Sequence, residues 1–308
     1  MHVIEEVHRV CDLDLEPYVI LISLKRTLIK DLQPSHLTDY KYYLEGGKEV
    51  CTRGTRTRLL KNIVAWAEGT SSETIYWLFG PAGSGKSTIA YTIARRFELA
   101  AVDDPIVLGG NFMCSRLFEE TKSATRIVRT IVYQLALKCK PFADALMHSG
   151  KYDTINQSPR DQLESLLIEP WQASQSTHLA NLSTTPRQYL IVIDALDELG
   201  GTGGSEFLRD ILGVINGNRL KGLKFLATSR PDPALFSHAD DFGDKHTVAE
   251  LSHAGFRIKT LHMLMWDHTI PPMYRELGYN SSNTLMLHSH TDKDRHGSEK
   301  TKRVELGL

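Results

Sequence analysis

Apolar residues recur along this 308-residue chain in two rhythms. In the first, short runs such as Ile75–Phe79 and Tyr189–Ile193 carry no alternating polar positions. A strand of that kind is covered on both faces, as in a parallel sheet flanked by helices. Such strands are predicted over 74–79, 106–113, 189–194, 223–228 and, with a fainter pattern, 247–251. In the second rhythm apolar residues fall three and four apart, which predicts helices over 57–68, 86–99, 122–139, 160–168 and 205–216. Strands alternating with helices imply an α/β fold with a parallel five-stranded sheet.

The pattern also divides the chain. Residues 1–50 read as a helical N-terminal segment, with helical spacing over Ile4–Val10 and Ile20–Ile29. They are too few for an independent domain and are expected to pack as a lead-in, with Leu28, Ile29 and Leu32 as core contacts. Residues 51–251 hold the α/β body. Inside it, Thr177–Pro186 reads as a polar loop and Gly200–Gly204 as a flexible connector. Over 252–308 the periodicity fades into a divergent, poorly ordered tail ending in a charged polar stretch. His288, His290 and His296 in that tail lack the spacing of a metal site.

One loop carries chemistry. Gly80, Pro81, Ala82, Gly83, Ser84, Gly85, Lys86, Ser87 and Thr88 fit G-x-x-x-x-G-K-[ST], set between a predicted strand and a predicted helix. Glycine lets the main chain bend where other residues cannot and come close to a ligand. Amide N–H groups then face phosphate oxygens, aided by the positive end of the helix dipole. Lys86 is expected at the β- and γ-phosphates, where one contact at about 4 Å is worth roughly 4 kcal/mol at an effective dielectric near 20. The Ser87 hydroxyl is expected to ligate Mg²⁺, Thr88 to make a secondary phosphate contact, and Pro81 to stiffen the loop.

Two further strand tips complete the set. The run from Gln188 ends in Asp194, Asp197 and Glu198, acids at the C-terminal end of a buried strand. Open α/β sheets bind ligands there. Asp194 is placed to hold Mg²⁺ in the manner of a Walker B strand, and Asp197 or Glu198 to orient or deprotonate an attacking water. Leu223–Pro231 ends in Arg230, whose planar fork suits a γ-phosphate sensor. Gly110–Arg116 reads as another strand tip bearing an arginine, with solvated surface as an equal reading.

Together these pieces resemble the NACHT family of STAND signalling P-loop NTPases, in the fungal NLR-like and nephrocystin-like N-terminal branch. Cys51–Arg56 with Leu60 and Trp66, Trp77–Thr88, Asn111–Arg116, Ile131–Ala136, Ile193–Glu198 in its D-A-L-D-E form, and Thr228–Pro231 carry the resemblance. It covers about residues 51–240. It implies an ASCE-type three-layer sandwich that binds ATP or GTP with Mg²⁺, hydrolyses it slowly and switches signalling or homo-oligomerisation, often in innate immunity. The resemblance also implies a helical lid, a winged helix and repeats after the sensor strand. Only 75 residues follow Pro233, too few for all three, so a truncated nucleotide-binding or interaction scaffold without hydrolytic cycling stands as the alternative. A small-molecule kinase shares the loop but not D-A-L-D-E with T-S-R-P.

Gross composition narrows the setting. A net charge of −1 gives no general drive toward nucleic acid or anionic membrane. No stretch of 18 apolar residues occurs, so no membrane span is expected. The four cysteines lack metal-type spacing and read as reduced thiols of a cytoplasmic protein. Nucleotide and signalling-protein partners are expected, nucleic acid is not.

Overall fold

Every residue of β1 (Ile75–Phe79) is buried, so neither face of this strand meets water. The computed structural model describes Ser23 and residues 27–28, 31–69, 73–101, 103–179, 187–216, 219–231, 246–252 and 255–259. Within it β2 (Ile106–Met113), β3 (Gln188–Asp194) and β4 (Leu223–Ser229) are buried almost as completely. Alternate residues feed two separate cores. Ile75, Trp77, Ile191, Ile193 and Phe225 enter one, while Tyr76, Leu78, Leu190, Val192 and Leu226 enter the other. Burial of each such side chain is worth about 1.5–3 kcal/mol.

Helices close both cores. One lies under α1 (Tyr40–Glu45), α2 (Thr57–Glu68) and α3 (Lys86–Glu98). The other lies under α4 (Ala124–Lys138), α5 (Lys140–Ser149), α7 (Glu169–Leu179) and α8 (Gly203–Asn216), with α6 (Pro159–Gln162) leading through a π-helical turn, Leu163–Ile168, into α7.

The sheet order is β2-β3-β4-β1-β5-β6, with β5 at His246–Ser252 and β6 at Gly255–Lys259. Neighbours from β2 to β5 are parallel, and β6 returns antiparallel to β5. The expected five-stranded sheet is therefore corrected. Four central strands are extended at one edge by a mixed pair, because the short Gly255–Lys259 segment lacked a pattern separable from the tail.

A bulge in β2 resets its faces. The ladder skips Gly109, so Ile106 and Leu108 join one core and Phe112 the other. A Cβ at Gly109 would stand 2.9 Å from the Cβ of Tyr189, so only glycine fits. The chain leading into α1, with the first residue of α1, ties down α4 and β2. Ser35 N donates to Thr130 Oγ1 at 3.0 Å and Tyr40 N to Asn111 Oδ1 at 2.8 Å. Leu28 and Leu32 are fully buried in the adjoining core, as expected, while Ile29 lies outside the described residues.

Other expectations needed correction. The helix foreseen over 122–139 stops at Lys138, Cys139 turns extended, and α5 restarts with Pro141 in its first turn, where a missing N–H costs nothing. The helix foreseen over 160–168 continues to Leu179 across Pro170, so Thr177 is helical rather than loop. Gly203 and Gly204 open α8 rather than a free connector. Residues 1–22 and the 260–308 tail, with His288, His290 and His296, lie outside the described residues.

Candidate functional site

Parallel pairing sets four strand ends side by side. Phe79 pairs with Ser229, and Gly80 N donates to Ser229 O at 3.2 Å, so the glycine loop leaves β1 beside Arg230. Ile193 pairs with Ala227, which sets Asp194 against Thr228. Met113 pairs with Asp194, and Cys114 N donates to Asp194 O at 3.0 Å, so the β2 tip adjoins the acids. Motifs more than a hundred residues apart thus meet on one carboxyl edge.

The loop has the shape its glycines permit. Gly83 and Gly85 hold φ of +74° and +91°, and a Cβ at either would meet nothing within 4 Å. Conformation rather than space therefore demands glycine there. The first turn of α3 leaves amide N–H groups without intrahelical acceptors. Lys86, buried at the start of α3, folds its ammonium back onto Gly80 O at 2.7 Å and Pro81 O at 2.9 Å. Burial pushes its pKa down, opposed by Asp197 and Asp194. Ser84 Oγ closes the loop on Pro81 O at 2.9 Å, and Arg56 Nη2 clasps Ser84 O at 3.1 Å from outside. Thr88 offers its carbonyl to Thr92 Oγ1 at 2.7 Å.

Asp194 is buried beside two hydroxyls. Thr228 Oγ1 donates to its Oδ1 at 2.5 Å, and the Ser87 hydroxyl lies close enough to favour the same carboxylate's charge. Burial pushes this carboxyl above its usual range, and Thr228, Ser87 and Lys86 oppose the shift. The next residue, Ala195, takes a left-handed φ of +57°, and its N–H donates to Thr228 Oγ1 at 2.9 Å. That kink turns Leu196–Glu198 into a single 3₁₀ turn carrying the other two acids.

Both acids of this turn meet an arginine. Asp197 Oδ1 accepts from Arg230 N at 2.9 Å, and its Oδ2 lies 3.0 Å from Arg230 Nε as an ion pair. Glu198 Oε2 accepts from Arg116 N at 3.1 Å, and Arg116 Nη2 donates to Asp197 O at 3.1 Å. A cavity of about 210 Å³ opens between Arg116, Asp197, Ser205, Ser229 and Arg230.

All the residues singled out from the sequence therefore share one edge. Lys86, Ser87, Asp194 and Thr228 form its centre, and Asp197, Glu198 and Arg230 one flank. Thr228 and Arg56 stood within motifs that the sequence made visible, without a role assigned. Trp77, whose Nε1 donates to Ser229 Oγ at 2.9 Å, likewise stood in a visible motif without a role, while Tyr43, stacked on Tyr91 at 6.0 Å, had no signal in spacing or type.

The donor set suits one metal and not a cage. Among the described residues no cluster of three or more His, Cys, Asp or Glu is placed to hold an ion. Ser87 and Asp194 supply one hydroxyl and one carboxylate, the sparse protein share typical of Mg²⁺ that arrives with phosphates. Among the described residues no helix is long and apolar enough to cross a membrane, and Cys51, Cys114 and Cys139 are free thiols.

Residues 54–230, more than half of the chain, match the family model described as Nephrocystin 3, N-terminal. No curated protein matches the chain. Two solved structures are similar at low level. The structure of C. elegans PCH-2 shares 14% identity at a TM-score of 0.30, over 66% of this chain and 44% of that one. The dimeric post-hydrolysis state of the ATP-binding cassette MJ0796, bound to ADP and Pi, shares 14% at 0.29, over 62% and 87%. The chain thus spans under half the length of the first, and superpositions this loose carry no argument.

Proposed function

The chain belongs to the nephrocystin 3 N-terminal family, and from that premise we propose that residues 51–251 form a nucleoside-triphosphate-binding switch domain. The observation that carries this reading is the meeting of Lys86, the Ser87–Asp194 pair and the Arg230–Asp197 pair on adjacent strand tips. Lys86 swings from its two loop carbonyls to the β- and γ-phosphates of ATP or GTP. The backbone N–H groups of residues 80–88, Pro81 excepted, cradle those phosphates. Ser87 and Asp194 hold Mg²⁺, which when bound neutralises charge on the triphosphate. Glu198 orients or deprotonates the attacking water, and Arg230 leaves Asp197 to read the γ-phosphate. In this reading the protein is a slow cytoplasmic NTPase of NACHT and STAND type, fungal NLR-like, that passes its nucleotide state to homo-oligomers or signalling partners.

A second reading, binding without turnover, draws on the same flank. Both carboxylate oxygens of Asp197 face Arg230, so this acid is held in an ion pair rather than free to act on a water. Phosphate release separates the two. Turnover of about 10⁻⁴ to 10⁻² per second, lost in both Lys86→Ala and Glu198→Gln, supports hydrolysis. Tight nucleotide binding with no release supports the second reading. Release unchanged in both variants would sink the assignment of these residues.

A further inference from the structure

We propose that Arg116 is a positioning residue for the acid turn, holding Glu198 for the hydrolysis proposed above, on which the inference rests. The β2 tip reaches the acid turn at four points along its length. Cys114 N meets Asp194 O, Arg116 N meets Glu198 Oε2, Arg116 Nη2 meets Asp197 O, and Gly200 N meets Lys122 O at 3.2 Å. The β4 tip holds the same segment through Thr228 and Arg230, so the turn is gripped from two neighbouring strands.

The grip is rigid on the β2 side. Thr121, fully buried, donates to Ser115 O at 2.5 Å and approaches Phe118 O at 2.8 Å. Ser115 N returns to Thr121 O at 3.4 Å, and Leu117 N to Ser115 Oγ at 3.2 Å. This closed loop fixes the direction of the Arg116 N–H. That N–H occupies Glu198 Oε2, while Oε1 accepts no bond from any described residue. One oxygen is thus pinned and the other left open to address a water. The guanidinium acts one residue earlier. By binding the Asp197 carbonyl it holds the 3₁₀ turn from the side opposite Arg230, so the turn stays in place when Arg230 leaves Asp197 for a phosphate. Arg116 is exposed, and a strand-tip arginine read from spacing alone fits plain surface equally well.

The test uses the full chain with Arg116→Ala and Arg116→Lys. The alanine variant keeps the amide and loses only the guanidinium, and an exposed side chain leaves no cavity behind. The expected result is kcat lowered about tenfold or more with KM within about threefold, partly restored by lysine, which keeps a charged donor. In the nucleotide-free protein, amide exchange over 195–200 should quicken about tenfold in Arg116→Ala, with 83–88 unchanged. Turnover within twofold of wild type, loss of nucleotide binding together with turnover, or unchanged exchange over 195–200 would each overturn the proposal. A wild type that binds no nucleoside triphosphate sinks the hydrolysis reading alone. The exchange contrast then still decides whether Arg116 holds the turn.

Discussion

Asp194 shows how a single buried charge is tolerated. Its carboxylate lies out of water, and the compensation is local, from two hydroxyls and a nearby ammonium. Thr228 does double duty, donating to Asp194 and accepting from Ala195 N. Thr228→Val keeps the shape and removes both bonds. An orphaned buried partner costs about 1–3 kcal/mol, and a charged one more. The pH dependence follows from the direction of the shift. The Asp194 carboxyl is already raised by burial, so its charged form costs stability above its folded pKa, and that cost disappears as pH falls through it. The valine variant raises the pKa further. Its deficit in urea unfolding should be largest near neutral pH and shrink in acid. It should not vanish, because Ala195 N stays unpaired at every pH. A deficit independent of pH would mean that Thr228 supports only the backbone.

At the scale of elements, α8 offers a contrast within one helix. A Cβ at Gly204 would stand 2.2 Å from Leu196 O, inside the acid turn. At Gly213, exposed farther along α8, a Cβ would meet nothing within 4 Å. Gly204→Ala should therefore destabilise by about 2–3 kcal/mol, since backbone must move. Gly213→Ala should stabilise by roughly 0.8–1 kcal/mol through helix propensity. Denaturant midpoints moving in opposite directions would bear this out; equal shifts would refute it.

The same scale shows what could be read in advance. Helix 57–68 and strand 106–113 were legible to the residue, because their apolar spacing was strong and their ends carried turn residues. The glycine loop, the acids and Arg230 were legible as types at characteristic spacings. The α7 helix was not. Its apolar positions do not gather on one face, and Pro170 near its start reads as a stop. The preceding π-helical turn widens the backbone just before that proline, where an α-helical ladder would need the N–H it lacks. The Arg116 grip was not legible either, since its first contact is made by a backbone amide that any residue possesses.

For the whole molecule, the family match over 54–230 covers neither the strap before α1 nor the β5–β6 edge. Both complete the body. Ser35 and Tyr40 bind the β2 side, and β5 pairs with all five residues of β1. A fragment of residues 54–230 should lose cooperative unfolding, because the strand bearing the glycine loop would be left as an open edge. A fragment of residues 23–259 should keep it. Thermal scans of both decide the point, and a cooperative 54–230 would show that the flanks are dispensable.

The central claim is that the four tips form a triphosphate pocket with Lys86 at its heart. Titration calorimetry with MgATP and MgGTP tests this most directly. At least one triphosphate should bind at a single site, and Lys86→Ala should abolish the heat. A ligand held at about 100 times its dissociation constant should also add about 2.7 kcal/mol of stability in wild type alone. No heat from either triphosphate at millimolar concentration, or equal heat in wild type and Lys86→Ala, would contradict the account.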